Sequence, residues 1–200
     1  MALWDKFFGK KKSNQSERSP YLPPVEVPID ISFAKNFTSK GGHFLYCDAL
    51  PQVKANYDNI CEENDWDNDS VVCLEKSLSD RFKSTLISQT SGSLKAFNAA
   101  LISCEYLISN TGKILLSEHQ IKHFKLSELP NTVILFAKTE QLVKDVSQGM
   151  TALKNKYAKT IPTNITSLKT KSSDGDENEI ENLNSSAKNI YLLLEDVLEL

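Results

Sequence analysis

The sequence contains no apolar run that approaches the roughly 20 residues needed for a membrane-spanning helix. It also lacks the order of a secretory signal, because the apolar residues Leu3 and Trp4 precede the basic residues 10–12 and no small-residue cleavage site follows. A cytoplasmic protein is therefore expected. With a net charge of −3 and no basic stripe interleaved with aromatic side chains, the chain is not expected to bind nucleic acid.

The chain is equally poor in the short motifs that identify metal, nucleotide and nucleophile sites. It has no Gly-rich phosphate loop, no G-x-S-x-G and no H-E-x-x-H. His119 and His123 are spaced i, i+4, but no third ligand accompanies them, so no metal site is predicted. The cysteines occur singly in apolar stretches, which favours inert core thiols over redox, metal or iron–sulfur roles. They are Cys47, Cys61, Cys73 and Cys104.

What is present suits one folded domain that follows a distinct N-terminal segment. Residues 1–29 combine a short amphipathic stretch with a proline-bearing linker, and residues 30–200 form the predicted domain. The amphipathic stretch favours three alternatives, which are an anchor at a membrane surface, a helix that docks in a partner's groove, and a segment that folds back onto its own domain. Its apolar residues are Leu3, Trp4, Phe7 and Phe8.

The domain alternates between helical and strand-like periodicity, and its strands are continuously apolar. This pattern predicts an α/β fold with a mostly parallel sheet and helices on both faces. Strands are expected near residues 43–47, 71–74, 85–87, 132–136, 164–170 and 189–194. Helices are expected over 29–39 and 75–82, along the face of Val53, Tyr57, Ile60 and Cys61, and along the face of Leu142, Val146, Met150, Leu153 and Tyr157.

The middle of the domain departs from this alternation. Two apolar runs, 101–108 and 113–117, flank a Ser-Asn-Thr-Gly sequence, and Gly112 can adopt a positive φ without strain. An antiparallel β-hairpin is therefore predicted, lying in or beside the main sheet.

Glu105 is unusual because it interrupts the first of these apolar runs. A carboxylate in such surroundings must be paired, protonated or directed into a cleft. It is thus a candidate site residue, although exposure on one face or cover by a lysine would also explain it. Two polar turns, Thr111-Gly112 and Thr163-Asn164, are further candidates, because open α/β sheets bind ligands at strand ends.

Several of these segments resemble the LUD (lactate-utilisation) domain family of bacterial proteins. Ala-Leu-Ile-Ser-Cys-Glu-Tyr-Leu-Ile-Ser-Asn-Thr-Gly-Lys-Ile-Leu-Leu, at 100–116, is similar to the family signature, and segments 127–136, 162–166 and 185–192 resemble its later motifs. The resemblance covers about residues 35–197 and implies a NagB/RpiA/CoA transferase-like α/β fold with a β-hairpin. It also implies a ligand site formed by Glu105, Asn110, Thr111, Gly112, Thr163, Asn164, Ser185 and Ser186.

The resemblance further implies an accessory or regulatory role in the oxidation of L-lactate to pyruvate. Such a protein would bind a small anionic ligand and work beside iron–sulfur partner proteins. Asn110 and Lys113 depart from the acid and the hydroxyl of the family signature, and the arginine of a later motif has no equivalent. The alternatives are a CoA-transferase-like or sugar-phosphate-type enzyme that uses Glu105 as nucleophile or base, and a non-catalytic interaction module. Cofactors and the formation of a homo-oligomer remain open.

Overall fold

The computed structural model describes residues 27–90, 92–171 and 187–197, and within them it contains five α-helices and ten strands. The helices are α1 (Ile29–Thr38), α2 (Leu50–Glu63), α3 (Lys76–Phe82), α4 (Glu118–Ile121) and α5 (Val146–Lys156). The strands are β1 (His43–Cys47), β2 (Val71–Cys73), β3 (Thr85–Leu86), β4 (Ala99–Ser103), β5 (Tyr106–Ile108), β6 (Lys113–Leu116), β7 (Thr132–Lys138), β8 (Leu142–Val143), β9 (Thr166–Thr170) and β10 (Ala187–Glu195). The predicted amphipathic stretch and the site candidates Ser185 and Ser186 lie outside the described residues.

Six strands form a main sheet in the order β3-β2-β4-β7-β10-β1, and all of its pairs are parallel. The interior of β7 and all of β2 are buried, as expected for strands that are covered on both faces. The α/β class and the mostly parallel sheet are thereby confirmed.

A smaller sheet, β8-β5-β6-β9, joins the main sheet through the start of β10. Its centre is the β5–β6 hairpin, which is antiparallel as predicted. The hairpin is shorter than predicted, because residues 101–108 form two strands that belong to different sheets. The chain leaves the main sheet at Cys104 and Glu105, where the side chain of Gln141 donates to both carbonyl oxygens and replaces the sheet's own hydrogen bonds.

The helices cover the sheets in layers. On one face of the main sheet, α2 and α3 bury side chains such as Val53, Tyr57 and Phe82. On the other face, α1 and the small sheet form a second core. The outer side of the small sheet is covered by α5, where the Cα of Gly149 lies close enough that an added Cβ would be 3.1 Å from Ile108 Cδ1.

The predicted apolar face of the last helix was partly wrong. Leu142 belongs to β8, and Val146 is 48% exposed, whereas Leu153 is buried. The helix begins later than its periodicity indicates because the Asp145 side chain accepts a hydrogen bond from the backbone N–H of Gln148. This N-cap fixes the first turn and leaves Leu142 and Val143 to pair with β5.

All four cysteines are buried free thiols, and burial raises the pKa of each one. In the described part of the chain, no helix is long and apolar enough to cross a bilayer. No group of three or more His, Cys, Asp or Glu side chains is arranged there to hold a metal ion.

Candidate functional site

A cleft of about 560 Å³ opens at the carboxyl ends of β2, β4 and β7, which are consecutive strands of the main sheet. Parallel sheets commonly bind ligands at this edge, because the loops that follow the strands converge there. We call it the strand-end cleft. Its polar lining consists of Glu75, Ser77, Arg81, Ser103, His119, Gln120, Lys138, Glu140, Gln141, Lys156 and Tyr157.

Glu105 lies behind one wall of this cleft and is only 1% exposed. Its Oε1 accepts hydrogen bonds from Ser117 Oγ at 2.7 Å and Gln120 Nε2 at 3.0 Å. Its Oε2 accepts from Lys156 Nζ at 2.8 Å, and the hydroxyl of Tyr157 lies 3.1 and 3.3 Å from the two oxygens. The carboxylate is therefore fully coordinated by protein donors.

These donors keep Glu105 ionised. Burial by itself raises the pKa of the carboxyl group, but the hydrogen bonds from Lys156, Ser117 and Gln120, together with the charge of Lys156, outweigh it and lower the pKa below its ordinary value. For Lys156, burial lowers the pKa, but the hydrogen bond and charge of Glu105 raise it overall. The two side chains form an ion pair at neutral pH.

The ion pair fixes an aromatic pair at the mouth of the cleft. Tyr157 stacks on the exposed His119 ring with a centroid distance of 4.8 Å, and Lys156 Nζ lies 5.0 Å from the centroid of Tyr157. Burial is the largest cause of the raised pKa of Tyr157, so its phenol stays protonated and can donate to Glu105. His119 and Tyr157 thus present a flat, partly polar surface to the cleft.

The opposite wall is organised by Glu75, the residue that precedes α3. Its Oε1 accepts hydrogen bonds from the backbone N–H of Ser103 at 2.9 Å and from Ser103 Oγ at 2.6 Å. Arg81, near the end of α3, stacks over the ring of Phe136 with its guanidinium carbon 5.2 Å from the ring centroid. Lys138 enters from the end of β7.

This arrangement limits what Glu105 can do. Its side chain has no exposed surface and all of its strong acceptor positions are occupied, so it is placed as an anchor for Lys156 and Tyr157 rather than as an open nucleophile. The groups that face the cleft directly are the cations Arg81, Lys138 and Lys156 and the carboxylates Glu75 and Glu140.

The other site candidates lie at two different ends of the hairpin. Asn110, Thr111 and Gly112 form its turn, which docks on α1 through a 2.8 Å hydrogen bond from Asn36 Nδ2 to the carbonyl of Ser109. Thr163 and Asn164 are exposed at the Glu105 end, where Thr163 Oγ1 donates to Glu118 Oε2 at 3.1 Å. The structure therefore does not gather these five residues and Glu105 around one cleft.

Sequence reasoning missed most of the residues that surround Glu105. Lys156 ends α5 and Tyr157, which was assigned to the apolar face of that helix, follows it. They lie 51 and 52 residues away from Glu105, and no spacing rule links them to it. One local signal was present. Ser117 and Gln120 match the capping-box spacing of a helix N-terminus, and the same two side chains donate to Glu105.

Residues 32–194 match the LUD domain family, which confirms the resemblance seen in the signature segments. No curated protein sequence matches the chain. The fold is similar to the crystal structure of a DUF162 family protein from Deinococcus radiodurans, with a TM-score of 0.60 and 17% sequence identity over 84% of this chain and 96% of that chain. At this identity the likeness shows the fold alone.

Proposed function

Because the chain belongs to the LUD domain family, we propose that it is an accessory or regulatory component of L-lactate utilisation that binds a small anionic ligand in the strand-end cleft. The observation that carries this proposal is the position of Arg81, Lys138 and Lys156, three cations at the carboxyl ends of parallel strands. A carboxylate ligand would meet charged donors there, in the place where this class of sheet offers its loops.

The three cations of the cleft differ in whether they form an ion pair with a carboxylate. Lys156 already forms an ion pair with Glu105, whereas Arg81 and Lys138 form none with any carboxylate of the described residues. Arg81 has the planar, forked donor geometry that suits a carboxylate, and stacking on Phe136 orients it. Arg81 and Lys138 are therefore the residues proposed to hold the anion.

Glu75 supplies the complementary feature. One of its oxygens is occupied by Ser103, and the carboxylate lines the same cleft as the cations. A ligand that carries both a carboxylate and a hydroxyl group could place the first group on Arg81 and donate from the second group to Glu75. L-lactate has this combination, and pyruvate lacks the hydroxyl donor.

An enzyme that uses Glu105 as nucleophile or base is a weaker proposal, because the carboxylate is buried and held by four side chains. A non-catalytic interaction module, and work beside iron–sulfur partner proteins, remain proposals that rest on family membership.

A thermal-shift titration of the full chain tests ligand binding, since a ligand that binds only the native state raises the melting temperature. We expect L-lactate or pyruvate to raise it more than chloride does at matched ionic strength. Arg81→Gln should weaken the apparent affinity about tenfold, the usual effect of losing one charged hydrogen bond. Lys154→Gln, an exposed α5 lysine outside the cleft lining, is the matched control. No shift with either acid, or an equal shift in the Arg81 variant, would contradict the proposal.

A further inference from the structure

A second, smaller pocket of about 260 Å³ lies at the turn of the β5–β6 hairpin, at the opposite end from Glu105. Its wall comes from three elements. The segment that follows α1 contributes Ser39 and Lys40, the hairpin contributes Gly112 and Lys113, and β9 contributes Lys169. We call it the turn pocket.

The turn pocket is shaped by a close contact between two backbones. Gly112 has a φ of 62°, and a Cβ at this position would lie 2.6 Å from the backbone of Asn36 and Phe37 in α1. The turn can approach the helix this closely only because residue 112 is glycine. Lys40 strengthens the contact, since its Nζ donates to the carbonyl oxygen of Thr111. The ammonium of Lys40 is thereby held at the rim.

The register of the small sheet places two more lysines together. Ile114 pairs with Leu168 in the antiparallel β6–β9 ladder, so the next position along the ladder sets Lys113 opposite Lys169. Like charges directly opposite each other on neighbouring strands lower stability. No carboxylate of the described residues lines the pocket or forms an ion pair with Lys40, Lys113 or Lys169. Three positive charges therefore surround one concavity with no counter-charge from the described chain.

We propose that the turn pocket binds the phosphate group of a small phosphate-bearing ligand. A phosphate dianion would neutralise the opposed pair Lys113 and Lys169 and accept hydrogen bonds from all three ammonium groups, which bind phosphate as point charges. The volume holds a phosphate group together with several further atoms. A carboxylate, with a single charge, matches three cations less well.

This site is separate from the strand-end cleft. None of the residues that line the turn pocket lines the cleft. The strands of the hairpin, about 10 Å long at roughly 3.3 Å per residue, lie between the two sites. The inference therefore does not depend on the proposed lactate function.

The test is a thermal-shift and calorimetric titration of the full chain with inorganic phosphate and with glycerol 3-phosphate, against sodium chloride at matched ionic strength. Matched ionic strength is essential because salt alone screens the repulsion between exposed lysines. We expect both phosphates to raise the melting temperature and to bind the double variant Lys113→Gln/Lys169→Gln at least about tenfold more weakly. Lys154→Gln, which changes a lysine outside the lining of both pockets, should bind phosphate like the unmodified chain.

Each outcome decides the proposal. Tighter binding of glycerol 3-phosphate than of inorganic phosphate supports a phosphate ester as the ligand, and equal binding supports phosphate itself. Binding that is lost in Arg81→Gln but kept in the double lysine variant would move the anion to the strand-end cleft and overturn the proposal. Stabilisation that chloride reproduces, or that the double variant retains in full, would show an adventitious ion only.

Discussion

At the scale of single residues, Glu105 is a buried carboxylate that its protein donors keep ionised. Its position in an apolar run indicated that it must be paired, protonated or directed into a cleft, and cover by a lysine was one of the alternatives. The structure supplies that lysine as Lys156. The partner could not have been identified from the sequence, because it lies 51 residues away and reaches Glu105 only through the packing of α5 on the small sheet.

The ionised state of Glu105 predicts a pH-dependent contribution to stability. Its folded-state pKa is lowered from an ordinary value of 4.5, so the contribution is fully present above that value and is lost as the pH falls through the folded-state pKa. Glu105→Gln should lower the free energy of unfolding by about 1–3 kcal/mol at pH 7, since the ion pair is lost and the other donors no longer face a charged acceptor, while Lys156 can turn to water.

Urea denaturation at pH 7, 5 and 3 measures this difference. It should be the same at pH 7 and 5 and smaller at pH 3. Glu63→Gln, which changes an exposed carboxylate at the end of α2, is the control and should shift stability by no more than about 0.5 kcal/mol. A Glu105→Gln effect that grows on acidification would mean that the carboxyl group is protonated in the native state.

At the scale of elements, most helices and strands were predictable because their periodicity and their packing agree. β1, α2 and β7 follow their apolar patterns closely. The prediction of one strand over residues 101–108 was wrong. Apolar character indicates that a residue is buried, but it does not indicate which sheet the residue joins. The division falls at Cys104 and Glu105, where the Gln141 side chain rather than a neighbouring strand satisfies the two carbonyl oxygens.

The contact between the hairpin turn and α1 can be tested by substituting Gly112. Gly112→Ala would put a residue with a Cβ at a backbone position that has the left-handed conformation. The added Cβ would also lie 2.6 Å from the α1 backbone. The conformational cost of about 1–2 kcal/mol and the forced separation of the turn from α1 should together lower the free energy of unfolding by about 2–4 kcal/mol. Denaturant melts of this variant and of Gly92→Ala, where the added Cβ would lie 3.5 Å from Thr90 Oγ1, make the comparison. A loss equal to that of Gly92→Ala would show that the turn does not need its docked position.

At the scale of the whole molecule, the cysteines lie on both faces of the main sheet. Cys47, Cys61 and Cys73 belong to the core beneath α2 and α3, and Cys104 belongs to the core beneath α1 and the small sheet. Burial raises the pKa of Cys73 to about 11, and it raises the pKa of the other three thiols as well. Little thiolate is therefore present at neutral pH.

We expect the native protein to react very slowly with a thiol-specific disulfide reagent at pH 7.5, because both access and thiolate are limited. All four thiols should react rapidly in denaturing urea, and their exposure should follow the loss of helical circular dichroism, since the two cores share one sheet. Reaction of Cys104 ahead of the other three would show that the core beneath the small sheet opens independently.

The candidate site was less predictable than the fold at this scale as well. A parallel sheet and its strand-end cleft follow from the alternating pattern, but the identity of the adjacent strands depends on long-range pairing. The cleft lies where it does because β4 pairs with both β2 and β7. For this reason Arg81 and Lys138, which no local motif marks, meet in one cleft.

The position of β10 has a consequence for the order in which the protein can be assembled on the ribosome. β1 has its only strand partner among the described residues in β10, which leaves the peptidyl-transferase centre roughly 140 residues later, or about 7–28 s later at typical rates of synthesis. During that interval β1 exposes unpaired backbone groups and apolar side chains, and one edge of β7 does so once β7 has been made. Such a surface is the kind that chaperones recognise. A nascent chain arrested before residue 187 should therefore remain bound to a chaperone, whatever its other strands have already formed.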